Sequence, residues 1–173
     1  GADYVTFRYM TLSRSGLNYY ATVVDIRGGA NNNIFRSNRI IGTLYNSTSN
    51  YFSLVYSNTD VDQGNLFDNN LMRYGSYGFY WSGISNVTLE SKNIIRNNIL
   101  DSVMTSGVSS FYQDGITITG NVVKNIYTTG AAYGIYCYYD YNGTTVTRNN
   151  VSMPNGGFGI YMNVNQNPNG TRN

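Results

Sequence analysis

The 173-residue chain contains no histidine, one cysteine and two prolines, and only 12% of its residues are charged. The absence of histidine excludes His-based catalysis and His metal sites, including zinc hydrolases and Ser-His-Asp triads. A single cysteine, Cys137, excludes an internal disulfide and a cysteine metal cluster. Eleven basic residues are offset by nine acidic ones with no basic run, which argues against a nucleic-acid partner. No apolar run is long enough to span a membrane.

What the chain has instead is 26 Asn, 19 Gly and 18 Tyr. These residues are poor helix formers, so the composition excludes a helical bundle or coiled coil. A hydrophobic share of 41% with a net charge of only +2 excludes a disordered chain. Little charge together with abundant Asn, Thr, Ser and Tyr is typical of an extracellular or cell-surface protein, and that is the predicted location.

A short pattern recurs along the chain: an apolar residue, two variable residues, an asparagine, and one or two further apolar residues. Its marker positions are Asn38, Asn70, Asn98, Asn121 and Asn150, and a degenerate first copy has Met10 in the place of the asparagine. A second strand-like run follows each marker, as in Gly134-Ile135-Tyr136-Cys137-Tyr138. Units of this size cannot each bury a core alone, but stacked coils share one. The repeat therefore predicts an all-β fold, a parallel β-helix (β-solenoid) of about six coils with no long helix.

The Asn-Asn-Ile, Ile-Thr-Ile-Thr-Gly-Asn-Val-Val and Gly-Ile-Tyr runs resemble the right-handed parallel β-helix repeats of the pectin-lyase-like superfamily. The resemblance covers Tyr4 to about Val164 and implies a right-handed solenoid. We expect one domain over residues 1–173, with residues 165–173 as a polar tail, or a segment of a longer β-helix. Proteins of this fold include polysaccharide lyases, glycoside hydrolases, tailspikes and surface adhesins, so function has to be argued from the site.

The repeated asparagines Asn38, Asn70, Asn98, Asn121 and Asn150 are interpreted as structural. An Asn at the same turn of each coil hydrogen-bonds its counterparts above and below, which forms a ladder. Asparagine also tolerates the left-handed conformation that a sharp bend requires.

The tyrosines of the second strands predict a binding surface. Alternation places apolar residues such as Ile135 and Cys137 inward and the intervening tyrosines outward. Stacked coils then present one exposed tyrosine column, with Tyr138 beside it: Tyr80, Tyr112, Tyr136 and Tyr161. Aromatic faces with hydroxyl groups suit sugar rings or another protein surface. The alternative is that these tyrosines only stabilise the sheet by cross-strand stacking.

An enzymatic site is the alternative hypothesis. Asp114 and Asp140 follow the second strands of adjacent coils, and a glycosidase requires two carboxyl groups near one another. Both also fit ordinary turn positions. Asp60-Val61-Asp62 is a candidate for calcium, and otherwise we expect no metal and no cofactor.

These observations favour an extracellular or cell-surface structural and binding solenoid. Its tyrosine-rich face is predicted to contact a polysaccharide or cell-surface glycan, another surface, or copies of itself. The alternatives are a polysaccharide lyase or glycoside hydrolase, and a filament subunit that stacks through uncapped ends.

Overall fold

The computed structural model describes residues 1–16, 20–43, 46–58, 60–128 and 130–163. Apart from a short 3-10 turn at Asn50–Phe52, the regular structure of these residues is β-strand. The predicted polar tail, residues 165–173, lies outside the described residues. The strands are β1 (Thr6–Arg8), β2 (Thr11–Ser13), β3 (Val24–Ile26), β4 (Ile34–Arg36), β5 (Arg39–Ile41), β6 (Val55–Asn58), β7 (Leu66–Asp68), β8 (Leu71–Ser82), β9 (Glu90–Ser91), β10 (Ile94–Arg96), β11 (Ile99–Phe111), β12 (Gln113–Asp114), β13 (Thr117–Thr119), β14 (Val122–Ile126), β15 (Tyr133–Tyr138), β16 (Thr145–Thr147), β17 (Asn150–Val151) and β18 (Phe158–Asn163).

The strands form a parallel β-solenoid of about five turns, which confirms the predicted fold class with a slightly lower coil count. One sheet has the order β1-β4-β7-β10-β13-β16. The larger sheet follows β2-β5-β8-β11-β14-β17, and a second arm runs through β3, β6, the ends of β8 and β11, β15 and β18. Strands β9 and β12 form a third, two-stranded sheet. Every paired strand is parallel to its partner on the neighbouring turn.

The interior consists of columns in which each side chain packs on its counterpart one turn away. Phe35 is in register with Phe67, and their rings stack at 4.6 Å between centroids. In the second arm, Phe79 is in register with Val108, and Val108 with Ile135. All of these side chains are buried. Alternation of inward and outward positions places the apolar side chains of the two larger sheets in this shared core, whereas β9 and β12 direct Glu90 and Gln113 inward.

A left-handed residue bends the chain at each corner between the first sheet and the larger one. Ser37, Asn69, Asn97 and Arg148 adopt φ values of 55° or 56°, and Gly120 has φ 67°. These are the residues that precede the ladder asparagines. Although asparagine tolerates the left-handed conformation, the residue before each ladder asparagine takes it and provides the bend.

An asparagine ladder follows these bends along the axis. The Oδ1 atom of Asn98 accepts the backbone N–H and the Nδ2 of Asn70, both at 2.9 Å. Asn38 donates its backbone N–H to Asn70, and Asn98 donates its own to Asn121. Four of the predicted members therefore lie in one hydrogen-bonded column, and all four are buried.

The last predicted member, Asn150, lies outside this column. Asn149 takes the place, since its Oδ1 accepts the backbone N–H of Asn121 at 2.9 Å, whereas Asn150 is exposed and pairs with Val122. The core residue Val146 shows why: each ladder residue lies three positions after the core residue of its strand. The predicted pattern starts instead at Thr147, which faces outward, and three positions after Thr147 is Asn150 rather than Asn149.

A second ladder lies at the opposite end of the same strands. Asn33 donates its backbone N–H to Oδ1 of Asn65, and Asn65 to Oδ1 of Asn93, each at 3.0 Å. All three are buried. They precede the core residue of each strand by two positions, a regularity in the sequence that the marker pattern did not include.

Candidate functional site

An aromatic surface runs along the second arm of the larger sheet. Thirteen side chains of the described residues are joined by ring-to-ring contacts with centroids 4.3–6.5 Å apart. Tyr141 also contacts Tyr139, but it is only 2% exposed and is not counted in this set. We call this set the aromatic surface, and its members are Tyr20, Tyr51, Tyr56, Tyr77, Tyr80, Phe111, Tyr112, Tyr133, Tyr136, Tyr138, Tyr139, Phe158 and Tyr161. Most are half-buried and keep part of the ring area in solvent, whereas Tyr56 is buried.

Strand pairing determines which predicted tyrosines share one outward column. Tyr56 is in register with Tyr80, and Tyr136 with Tyr161. On the turn between Tyr80 and Tyr136, the position belongs to Ser109. Tyr80, Tyr136 and Tyr161 therefore lie in the predicted column.

Tyr112 lies outside that column, three residues beyond Ser109. It takes a left-handed conformation at the corner after β11 and packs against Tyr138 and Tyr139. Phe111 fills the gap over Ser109, because its ring lies 5.2 Å from Tyr80 and 5.4 Å from Tyr136. The surface is therefore continuous although the tyrosine column is not.

A glycine column sets this register. A Cβ on Gly107 would lie 2.4 Å from Cγ1 of Val123 and 2.7 Å from the carbonyl oxygen of Gly134, so only glycine fits. Gly78, Gly107, Gly134 and Gly159 each precede the outward column by two residues. Aligning these glycines in the sequence identifies Ser109 as the fourth-turn member, and this is the signal that the prediction of Tyr112 missed.

Four phenols of the aromatic surface have pKa values above the ordinary value of tyrosine. Burial raises the pKa of Tyr77, Tyr80 and Tyr136 above the ordinary value. A hydrogen bond between the side chains of Tyr138 and Tyr139 raises the pKa of Tyr138 to about 12. At these four residues a ligand therefore meets ring faces and neutral hydroxyl groups.

Apart from the exposed pair of Arg27 with Asp25 at β3, the ion pairs of the described residues lie on other strands. Asp68 lies between Arg36 and Arg96, with N–O distances of 3.2 and 3.0 Å. Burial acts to raise the pKa of Asp68, but hydrogen bonds from Arg96 and Asn97 outweigh it and hold the pKa below its usual range. Asp101 is paired in the same way with Arg73 at 2.8 Å. These pairs lie on the first sheet and on the first half of β8 and β11.

The two alternative catalytic carboxyl groups are not brought together as a pair. Asp140 is 1% exposed, and its Oδ1 accepts the backbone N–H of Gln113 at 3.1 Å. Asp114 follows Gln113 in β12, forms a parallel β-bridge with Tyr141, and is partly exposed. Asp140 lies beside Gln113 of the previous turn, and both are buried. Successive residues of a strand point to opposite faces, so Asp114, the residue after Gln113, points outward while Asp140 points inward.

Asp140 belongs instead to a buried acid column, which consists of Asp62, Glu90, Gln113 and Asp140. Oε1 of Glu90 accepts the backbone N–H of Asp62 at 3.0 Å, and Oε2 accepts Nε2 of Gln113 at 2.9 Å and Nε1 of Trp81. Burial raises the pKa of Glu90 to about 7, against the effect of these hydrogen bonds. Burial likewise raises the pKa of Asp140 to about 7. The sequence pattern did not predict this column.

The calcium candidate forms backbone contacts. Asp60 accepts the N–H of Gly28 at 2.8 Å, and Asp62 accepts the N–H of Ala30 at 2.7 Å. Across the described ranges, no three His, Cys, Asp or Glu side chains cluster closely enough to hold a metal ion. Cys137 is fully buried, and burial raises the pKa of its thiol, so it lies in the core as a small apolar side chain.

Comparisons with protein-family models, curated proteins and solved structures found no match to this chain. The parallel β-solenoid is shown by the structure, while the resemblance to the pectin-lyase-like superfamily stays a prediction. Among the described residues, no helix is long and apolar enough to cross a membrane.

Proposed function

We propose that this protein is an extracellular or cell-surface binding solenoid that presents its aromatic surface to carbohydrate. The observation that carries the proposal is the continuity of that surface. Its ring contacts extend from Tyr20, ahead of β3, to Phe158 and Tyr161 in β18. A polymer aligned with the solenoid axis would therefore meet rings on successive turns.

The chemistry of the surface suits sugar rings. Aromatic faces bury the apolar C–H faces of a pyranose, while phenol hydroxyls donate and accept hydrogen bonds at the edges. The pKa values of Tyr80 and Tyr136 lie above the ordinary value, so these hydroxyls keep their protons. Paired strands hold the rings in place, which reduces the entropy lost on binding.

The test measures binding of immobilised polysaccharides, both neutral and acidic, by wild type and by a double variant, Tyr136→Ala with Tyr138→Ala. Both rings belong to the aromatic surface and are half-exposed. If they form the centre of the site, the affinity falls by about tenfold or more, because central aromatic residues contribute most of the binding energy.

The matched control is Tyr127→Ala. Tyr127 is 46% exposed and is not a member of the aromatic surface, so its loss leaves binding unchanged. Circular dichroism checks that all variants keep the β-solenoid. Equal binding by the double variant and wild type would contradict the proposal. So would a wild-type protein that binds no polysaccharide but associates with itself through these tyrosines.

A further inference from the structure

Tyr112 and Tyr139 occupy equivalent places on two successive turns. Both residues have left-handed backbones, with φ 56° and 54°. Phe111 and Tyr138, the residues just before them, are in register. The two rings stack with centroids 5.5 Å apart and an interplanar angle of 17°, and both are half-exposed. Two phenols are therefore held face to face by the backbone of separate turns.

We propose that Tyr112 and Tyr139 form an oxidative cross-linking site, at which a one-electron oxidant of the peroxidase class joins the two rings as dityrosine. The bond connects the carbons ortho to each hydroxyl group. It ties together two turns of a chain whose single cysteine permits no internal disulfide.

The reaction balances with hydrogen peroxide as the terminal oxidant. Each phenol gives up one electron and one proton and becomes a phenoxyl radical. The two radicals couple to form one C–C bond, and each ring then moves its remaining ortho hydrogen to the oxygen, which restores two phenols. Hydrogen peroxide takes up the two electrons and two protons and becomes two water molecules. The chain loses two hydrogen atoms in total.

Other tyrosines meet these requirements less well. Tyr56 and Tyr80 stack at 5.6 Å, but Tyr56 is only 5% exposed and is shielded from the oxidant. The rings of Tyr136 and Tyr161 are inclined at 68°. Tyr133 and Tyr136 stack at 4.7 Å, but both lie on β15, so a bond between them would join no two turns and no two tryptic fragments. Tyr112 and Tyr139 combine parallel stacking across two turns with access to solvent.

The experiment treats dilute protein with a peroxidase and hydrogen peroxide and isolates the monomer. Trypsin is well suited to the mapping, because the fragment 97–124 contains Tyr112 as its only tyrosine. The expected product is this fragment joined to fragment 125–148 with the loss of two hydrogen atoms, and tandem mass spectrometry places the bond at Tyr139. The cross-linked monomer shows dityrosine fluorescence and a higher unfolding temperature, because the bond restricts the unfolded chain.

Two conservative variants test the assignment. Tyr112→Phe and Tyr139→Phe keep the stacked rings but lack one phenol, so each loses the joined fragments. Tyr127→Phe, in fragment 125–148 but outside the aromatic surface, retains them. The proposal is overturned if dityrosine forms only between molecules. It is also overturned if Tyr112→Phe yields as much cross-linked monomer as wild type, since the bond then joins other tyrosines.

Discussion

Replacement of Asn98 by leucine tests whether the asparagine ladder holds the solenoid together. Asn98 is fully buried, and its Oδ1 accepts both the N–H and the Nδ2 of Asn70 at 2.9 Å. Its Nδ2 donates to the carbonyl oxygen of Phe67 at 3.0 Å and to Oδ1 of Asn121 at 3.1 Å. Leucine branches at the same carbon but carries bulkier methyl groups, so Asn98→Leu removes these hydrogen bonds and also crowds the buried site.

The magnitude follows from the groups that lose their partners. Two donors of buried Asn70 lose their acceptor, and a buried donor without a partner costs about 1–3 kcal/mol. We therefore expect Asn98→Leu to reduce the free energy of unfolding by about 4 kcal/mol. Since domains of this kind are stable by about 5–15 kcal/mol, such a loss is easily measured.

Urea unfolding followed by circular dichroism measures this difference, and Asn150→Leu is the matched control. Asn150 is exposed and lies outside the ladder, so its replacement changes the free energy of unfolding by less than about 0.5 kcal/mol. Asn149→Leu destabilises, because Asn149 accepts from Asn121 at 2.9 Å. A loss below about 1 kcal/mol for Asn98→Leu, or an equal loss for Asn150→Leu, would refute this reasoning.

Three further predictions concern the core. Because the pKa of Glu90 is about 7 when folded and near 4.5 otherwise, the folded protein binds this proton more tightly. The contribution of Glu90 to stability is therefore full in acid and falls as the pH rises through 7, by about 3 kcal/mol, which adds a downward slope to the dependence of stability on pH. Measured between pH 5 and 8, this slope becomes shallower in Glu90→Gln, and an unchanged slope contradicts the assignment. Gly107→Ala forces a Cβ to within 2.4 Å of Val123 and lowers the unfolding temperature, at a cost of about 1–3 kcal/mol, whereas exposed Gly130→Ala does not. Cys137 reacts with a thiol reagent only in denaturant, and rapid labelling of the native protein would contradict its burial.

The repeat alone was enough to predict the fold class. Core residues such as Phe35, Phe67 and Ile95 recur with a turn signal at a constant distance, and only stacked parallel strands bring such positions together. The ladder residues Asn70 and Asn98 were predictable for the same reason. The last ladder residue was misplaced because Asn149 and Asn150 are adjacent and identical, and only strand pairing distinguishes them.

The candidate site was less predictable, because turns of different length change which residues become neighbours. Tyr112 follows a strand-like run as the other tyrosines do, yet the close approach of Gly107 to the next turn places Ser109 in the column. The alternation of inward and outward residues along one strand does not reveal this approach of Gly107 to the next turn. The repeated glycines carry this information in the sequence, because each lies two residues before the outward column.

The sequence by itself therefore determined the parallel solenoid and most of its asparagine ladder, because both depend on a local pattern repeated at each turn. Only the tertiary structure decided that Phe111 completes the aromatic surface, that Asp140 is buried while Asp114 is not, and that Glu90 has a pKa near 7. The physical reason is that these properties depend on the exact side chains of the adjacent turn. Those neighbours are 23 to 32 residues away along the chain and are chosen by hydrogen bonding between strands.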